Sequence, residues 1–339
     1  ESPEWVRKLA YYIGDYTKLW KAFAVLSPGF HVRNSIANAV TYTMADGSMD
    51  NLIMVTPIYV AWTKARKAGT SWSDFLKTVD PKLVPALETA HLGMLGSGGG
   101  IFTETFKEAT GSKSSTSFLL DNWLIRKNQA VGQAADNYMR FALAFDTAMK
   151  GGDVGLAQAR VKRYSFDYED LSTADQVMRQ IVPFWLWTSR NLTMQIQNMW
   201  LNPRPYLIYE SFKRNFEDSE TPVPPFVREM GGFRLPFGQG MYLMPDLGFN
   251  RVEKDLQAFI NPKEFLNKAN PVIKIPAEQA LGENVFTGTE FKTPQDRLAA
   301  ILRNAAPPVG QSERLFGKDG LSQLNAWLSY LGSPVRKYN

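Results

Sequence analysis

A chain of 339 residues, 44% hydrophobic and 21% charged, is long enough to bury a large core and too apolar for disorder to be its default state. Its net charge of +5 permits contact with nucleic acid or anionic lipid without requiring either, and no block of Lys and Arg marks a nucleic-acid arm. With no cysteine, disulfides and thiolate metal sites are excluded.

The opening, Glu1 to Leu9, lacks the apolar stretch of a signal peptide, and the chain reads as the ordered part of something longer. Ser2-Pro3-Glu4 supplies an N-cap and a first-turn proline. Trp5, Leu9, Tyr12, Tyr16 and Leu19 then continue on one helical face. Ser27-Pro28-Gly29 breaks this helix, and a second begins near Phe30 and ends at Asp46-Gly47. Ser48 or Asp50 caps a third, which runs to about Ala68 and places Lys64, Arg66 and Lys67 at the negative end of its dipole. Within it, Leu52 to Trp62 is the most apolar run of the chain. It is too short to cross a membrane and carries Pro57, so it reads as a kinked helix buried in protein.

Thr70 to His91 holds two short helical pieces separated by Asp80-Pro81, and Gly96 to Gly100 forms a hinge or exposed loop. Ser114 to Lys150 is the longest helical pattern, with an apolar stripe that includes Phe118, Trp123, Ala130, Ala134, Tyr138, Phe141, Ala142 and Phe145. Its alanines suggest close packing against another helix, and Gly151-Gly152 ends it. Asp153 opens the next helix. An aromatic turn, Tyr164 to Tyr168, leads to Ser172, which caps a helix from Thr173.

That helix feeds the stretch around which the chain is organised, Ile181 to Tyr206, which holds three of the nine tryptophans: Trp185, Trp187 and Trp200. Pro183 stands where a helix can start and Asn202-Pro203 where it must stop. Trp185, Leu192, Ile196 and Met199 recur at helical spacing, widened by Leu186 and Met194, while Asn191, Gln195 and Asn198 need partners inside the protein. A core helix is the first reading. A membrane-interface helix is the second, because tryptophans flanking an apolar helix suit the headgroup region.

Beyond Asp218 the composition shifts to proline and glycine. Phe233 to Pro236 and Met241 to Pro245 flank Phe237-Gly238-Gln239-Gly240, which predicts one β-hairpin as the only β element. From Arg251 onward, short amphipathic helices are interrupted at Asn261-Pro262, Asn270-Pro271, Ile275-Pro276 and Pro307-Pro308. The expectation is a mainly α chain: an elongated multi-helix body over residues 1–218, a hairpin segment over 219–250, and a proline-rich strap over 251–339 packed on the body.

The residues offer little for catalysis. His31 and His91 lie far apart and lack an identifiable acid–base partner, which favours structural roles. Gly96 to Gly100 and Thr110 to Ser114 lack the glycine spacing and Gly-Lys-Ser/Thr order of a phosphate loop. Asp167, Glu169 and Asp170 lack calcium-loop spacing and read as a solvated turn. The residues alone thus predict a protein that is not an enzyme and uses no cofactor or metal.

Two places echo each other: Ser27-Pro28-Gly29-Phe30-His31-Val32-Arg33-Asn34, and Val182-Pro183-Phe184-Trp185 leading to Arg190-Asn191. A third feature is Asn270 to Glu278 (NPVIKIPAE), followed by Asn284 to Gly288. Together, in this order, they resemble the helical region of very large tailed-phage virion proteins, over about Leu26 to Gly288. The resemblance implies a component of the phage particle, inside the head or at the head–tail axis, that acts in assembly or genome ejection. It implies partners among the portal, the tail and copies of the chain itself, and it carries no catalytic residues. An accessory domain of a polyvalent enzyme or toxin is the alternative it leaves. Membrane contact during delivery is a further expectation, whereas the scattered basic residues argue mildly against a DNA-contacting scaffold. The residues singled out for interaction or core roles are Trp185, Trp187, Trp200, Arg33, Asn34, Arg190 and Asn191.

Overall fold

The computed structural model describes residues 4–24, 28–95, 123–167, 171–217, 252–286 and 288–305, with 223, 227, 232–235, 241–243, 323, 325, 327, 331 and 335–337. The chain is mainly α-helical, with short antiparallel strand pairs. Helices α1 (Glu4–Ala24), α2 (Pro28–Met44) and α3 (Met49–Lys67) follow the predicted breaks, and Pro57 lies inside α3. Next come α4 (Trp72–Leu76), a 3-10 turn capped by Asp80, and α5 (Val84–Leu95). The predicted hinge at Gly96 to Gly100 and the start of the long helix at Ser114 lie outside the described residues.

Helix α6 (Trp123–Met149) is the spine of the first core. Phe141 to Phe145 are buried without interruption and pack with Tyr42, Val55, Leu87, Ala90, Ala157 and Val161 from α2, α3, α5 and α7 (Val154–Ser165). A helix buried all round over more than a turn needs small residues on at least one side. Gly93 of α5 supplies one: a Cβ there would stand 2.9 Å from Ala157 Cβ and 3.3 Å from Ala144 Cβ. The close packing predicted from alanine therefore occurs at Ala142 and Ala144. Ala130 and Ala134, by contrast, are exposed.

One buried carboxylate ties this core together. Asp146 accepts from the Ser48 amide (3.0 Å), Asn51 Nδ2 (2.8 Å) and Arg160 Nη1 (2.9 Å), and it pairs with Lys150 Nζ (3.0 Å). Burial raises its pKa, but these hydrogen bonds outweigh burial and hold it below the usual carboxylate range.

Asp153 caps α7 and Ser172 caps α8 (Thr173–Ile181) in a reciprocal box with Asp175, both at the predicted positions. Helix α9 (Trp185–Leu201) then begins two residues after Pro183 and stops at Asn202-Pro203, before α10 (Arg204–Glu217). Its inward face differs from the predicted stripe. Ile196 and Met199 are exposed, and Leu186, Leu192 and Met194 share the buried face with Asn191, Gln195 and Asn198. The amides go inward because partners await them. Tyr206 Oη donates to Gln195 Oε1, Tyr164 Oη donates to Asn198 Oδ1 (3.1 Å), and Gln195 Nε2 donates to Asn191 Oδ1 (3.1 Å).

The predicted hairpin is present as β1 (Phe233–Arg234) antiparallel to β2 (Met241–Leu243), in the register Phe233↔Leu243. It is not the only β element. In chain order, β3 (Glu283–Asn284) pairs with β4 (Thr289–Glu290), and β5 (Val335–Lys337) adds to the free edge of β2, pairing Tyr242 with Arg336.

The C-terminal segment forms α11 (Val252–Ile260), α12 (Pro262–Lys268), α13 (Pro271–Leu281) and α14 (Pro294–Ala305). Asn261 and Asn270 cap α12 and α13 with proline at the first helical position, so these Asn-Pro pairs start helices as well as separating them. Pro276, expected to interrupt, lies inside α13. The segment is bonded to the body at several points. The Asn270 amide donates to the Ile181 carbonyl (2.6 Å), Tyr16 Oη to the Ala305 carbonyl (2.8 Å), and Trp20 Nε1 to the Asn304 carbonyl (3.1 Å).

Candidate functional site

The two sequence features that echo each other meet the third, Asn270 to Glu278, in space. They line a cavity of about 510 Å³ between the start of α2, the α8–α9 junction and the C-terminal segment. Phe30, Arg33 and Asn34 come from the first feature, Pro183, Phe184 and Trp187 from the second, and Pro271 and Lys274 from the third. Each is placed by a helix start. Pro28 and Pro271 open α2 and α13, and Pro183 precedes Phe184, the N-cap of α9, so proline fixes φ where the chain enters each helix.

Trp20 of α1 closes the aromatic side, its ring 6.2 Å from that of Phe184 and tilted by 50°. Four cations line the cavity: Arg33, Lys268, Lys274 and Arg303. Asp255 of α11 is an acidic lining residue and pairs with Lys268. Lys274 Nζ stands 3.8 Å from Glu278 Oε1. Burial pushes the Lys274 pKa down, with partial compensation from Glu278. Glu278 is itself held by the Val285 amide (3.0 Å) and Asn304 Nδ2 (2.7 Å), which fixes the wall behind Lys274.

Two acceptors on the lining lack a hydrogen-bond partner among the described residues although they are buried: Asp255 Oδ2 and Asn267 Oδ1. Asp255 is only 2% exposed, so the orphan oxygen cannot be dismissed as solvated. The cavity thus combines aromatic side chains, several charged side chains and unsatisfied acceptors, and apolar walls with a few placed polar groups are the usual make-up of a small-molecule site.

The seven residues singled out from sequence separate into distinct settings. Arg33, Asn34 and Trp187 line the cavity. Asn34 Nδ2 also donates to Asp136 Oδ1 (2.9 Å), a carboxylate whose pKa is raised by burial despite bonds from Asn38 and Asn34. Trp185 and Arg190 serve another carboxylate, Asp175, at 2.8 Å and 3.6 Å. Burial raises the Asp175 pKa, but these contacts and Ser172 outweigh it and leave it lowered. Asn191 is buried in the amide face of α9. Trp200 is no core residue: it is 86% exposed.

Trp20, Asp255, Asn267, Lys268 and Arg303 were not legible as site residues. They come from parts of the chain with no motif, and only the neighbouring NPVIKIPAE feature points toward that wall. The histidines sit elsewhere: His31 Nε2 lies 2.6 Å from Asn128 Oδ1, and His91 stacks on Trp72 with ring centroids 4.4 Å apart. Asp167 pairs with Lys162 (3.4 Å), while Glu169 and Asp170 lie outside the described residues. Among the described residues no group of three or more His, Asp or Glu stands together as a metal site.

A second surface feature lies at the α9–α10 corner. Trp200, Leu201 (69% exposed), Leu207 (65%) and Ile208 (54%) are each exposed there, within nine positions of sequence. None of the described helices is long and apolar enough to cross a membrane. No protein-family model, curated protein or solved structure matches this chain.

Proposed function

We propose that the chain is a structural segment, not an enzyme, of a large bacteriophage virion protein. It acts in particle assembly or genome ejection through contacts with copies of itself and with portal or tail proteins. The observation that carries this reading is the α9–α10 corner, where Trp200, Leu201, Leu207 and Ile208 are all exposed. Lone exposed apolar residues are ordinary, but a tryptophan and three large aliphatic residues exposed within nine positions of sequence suit a protein contact. The ordered proline and aromatic features of the three helix starts support the resemblance to the phage helical region.

The test is incorporation. Parent protein carrying Trp200→Ser and Leu207→Ser should melt like wild type but be depleted from phage particles. Undiminished incorporation of the double variant overturns the assembly role of this corner. A second reading, contact with a lipid interface during delivery, draws on an exposed Trp200 and an exposed Arg204 four positions apart in sequence. Tryptophan emission that shifts to the blue on adding anionic vesicles would favour it, and unchanged emission would remove it.

A further inference from the structure

We propose that Lys274, on the wall of the cavity where the three helix starts meet, captures a flat aromatic aldehyde covalently as an imine. The inference does not depend on the virion reading, because it rests on the placement of one amine and its surroundings.

The spacing in NPVIKIPAE puts Lys274 and Glu278 one turn apart on the same face of α13, whose start the Asn270 cap fixes. The Lys274 side chain is only 12% exposed, and it lines the cavity of about 510 Å³. Burial disfavours the ammonium form and lowers the Lys274 pKa more than Glu278 restores it. The neutral amine is the nucleophile in imine formation, so the same burial raises the reactive fraction.

Lys268 gives the contrast within the same cavity. Its amine is engaged directly by the buried carboxylate of Asp255. Nζ of Lys274 instead stands 3.8 Å from Glu278 Oε1, beyond hydrogen-bond reach. Glu278 is held without it, because Oε1 accepts from the Val285 amide (3.0 Å) and Oε2 from Asn304 Nδ2 (2.7 Å). A fixed carboxylate therefore lies beside an amine that it does not tie down.

The step balances without a redox partner. Nζ attacks the carbonyl carbon as the C=O π bond opens, and one amine proton passes to the oxygen. The second amine proton leaves with that hydroxyl as water, and a C=N bond remains. Glu278 is the described carboxylate closest to Nζ and carries these protons between nitrogen and oxygen.

The lining selects the body of the ligand. Trp20, Phe30, Phe184 and Trp187 surround the space, with the rings of Trp20 and Phe184 centred 6.2 Å apart. A flat ring packs on such faces better than an aliphatic chain does. The volume is that of a small-ligand site and admits a two-ring aldehyde.

Reductive labelling of the purified, folded chain with 2-naphthaldehyde and cyanoborohydride tests this. Cyanoborohydride gives hydride to the imine and fixes it as a secondary amine, which peptide mass mapping then locates. Lys274 should be modified about tenfold faster than Lys268 or the exposed Lys77. With butanal in place of 2-naphthaldehyde, that advantage should fall about threefold or more. In urea it should vanish, because it belongs to the cavity and not to the local sequence. Lys274→Arg should remove the preferred adduct and leave labelling of Lys268 and Lys77 as before. Modification of Lys274 no faster than Lys77 in the folded wild-type chain overturns the proposal. A preference that persists in urea, or that is as large for butanal, also overturns it.

Discussion

The backbone amide of Asn270 donates to the carbonyl of Ile181 at 2.6 Å, joining the start of α13 to the end of α8 across 89 positions of sequence. The same side chain donates to the Gln180 carbonyl (3.2 Å) and to Thr17 Oγ1, while its Oδ1 accepts from the Val272 amide (3.1 Å). One fully buried asparagine therefore caps a helix and bolts the C-terminal segment to α1 and α8. Asn270→Ala should cost about 2–3 kcal/mol, the sum of a lost cap and of buried groups left unpaired. Urea unfolding measures the loss. Limited proteolysis should then cut first within residues 252–305, and an unchanged cleavage pattern would speak against the bolting role.

The two buried carboxylates of α6 predict opposite responses to pH. Asp146 has a lowered folded pKa, so its contribution is complete above the unfolded value of about 3.9 and fades as pH falls through the folded value. Asp146→Ala, which leaves the Arg160 guanidinium without its carboxylate, should cost about 3–5 kcal/mol at pH 7 and much less in acid. Asp136 has a raised folded pKa, so its contribution is complete below about pH 3.9 and is lost as pH rises through the folded value. Asp136→Asn keeps an acceptor for Asn34 and Asn38, and its stability relative to wild type should improve as pH rises. Paired melting curves from pH 3 to 8 check both signs.

The tryptophans of the central stretch separate by burial. Trp185→Ala removes a half-buried ring and its bond to Asp175 and should cost about 2–4 kcal/mol. Trp200→Ala should stay within about 0.5 kcal/mol of wild type, because the side chain stands in solvent. Comparable losses in both would place Trp200 in a packed environment.

Gly93 should not accept a methyl group. Gly93→Ala puts Cβ against Ala157 and Ala144, two side chains that cannot rotate away, so helices α5, α6 and α7 must separate. The expected cost is about 1–3 kcal/mol. Gly93→Ala combined with Ala157→Gly should recover part of it, and a failure to recover would mean that backbone strain, not the contact, is responsible.

Local chemistry made much of the fold readable. Ser172, Asp153 and the Asn202-Pro203 stop act where their side chains and missing amide dictate, within one turn of their own position. What failed was set by distant partners. The face that α9 buries was misread because Tyr164 and Tyr206, which pair with Asn198 and Gln195, make inward amides cheaper than the apolar stripe suggests. Strand β5 was invisible because three residues near the C-terminus carry no alternation of their own and gain order from β2. Pro276 lies inside α13, five residues after Pro271, which with the Asn270 cap sets the first turn. The cavity was half legible. The two echoing features and the stretch Asn270 to Glu278 mark three of its walls, but Asp255, Asn267 and Arg303 reach it only through the tertiary path of the C-terminal segment.

The most direct test of the proposed structural role is quantitative mass spectrometry of phage particles purified from the source of this chain, before and after triggered release of DNA. The account predicts peptides spanning Glu1 to Asn339 in intact particles at a fixed copy number per particle. Their departure with the DNA would mark an ejected protein, and their retention a fixed head or tail component. Peptides abundant in infected cells but missing from the particles would contradict the account.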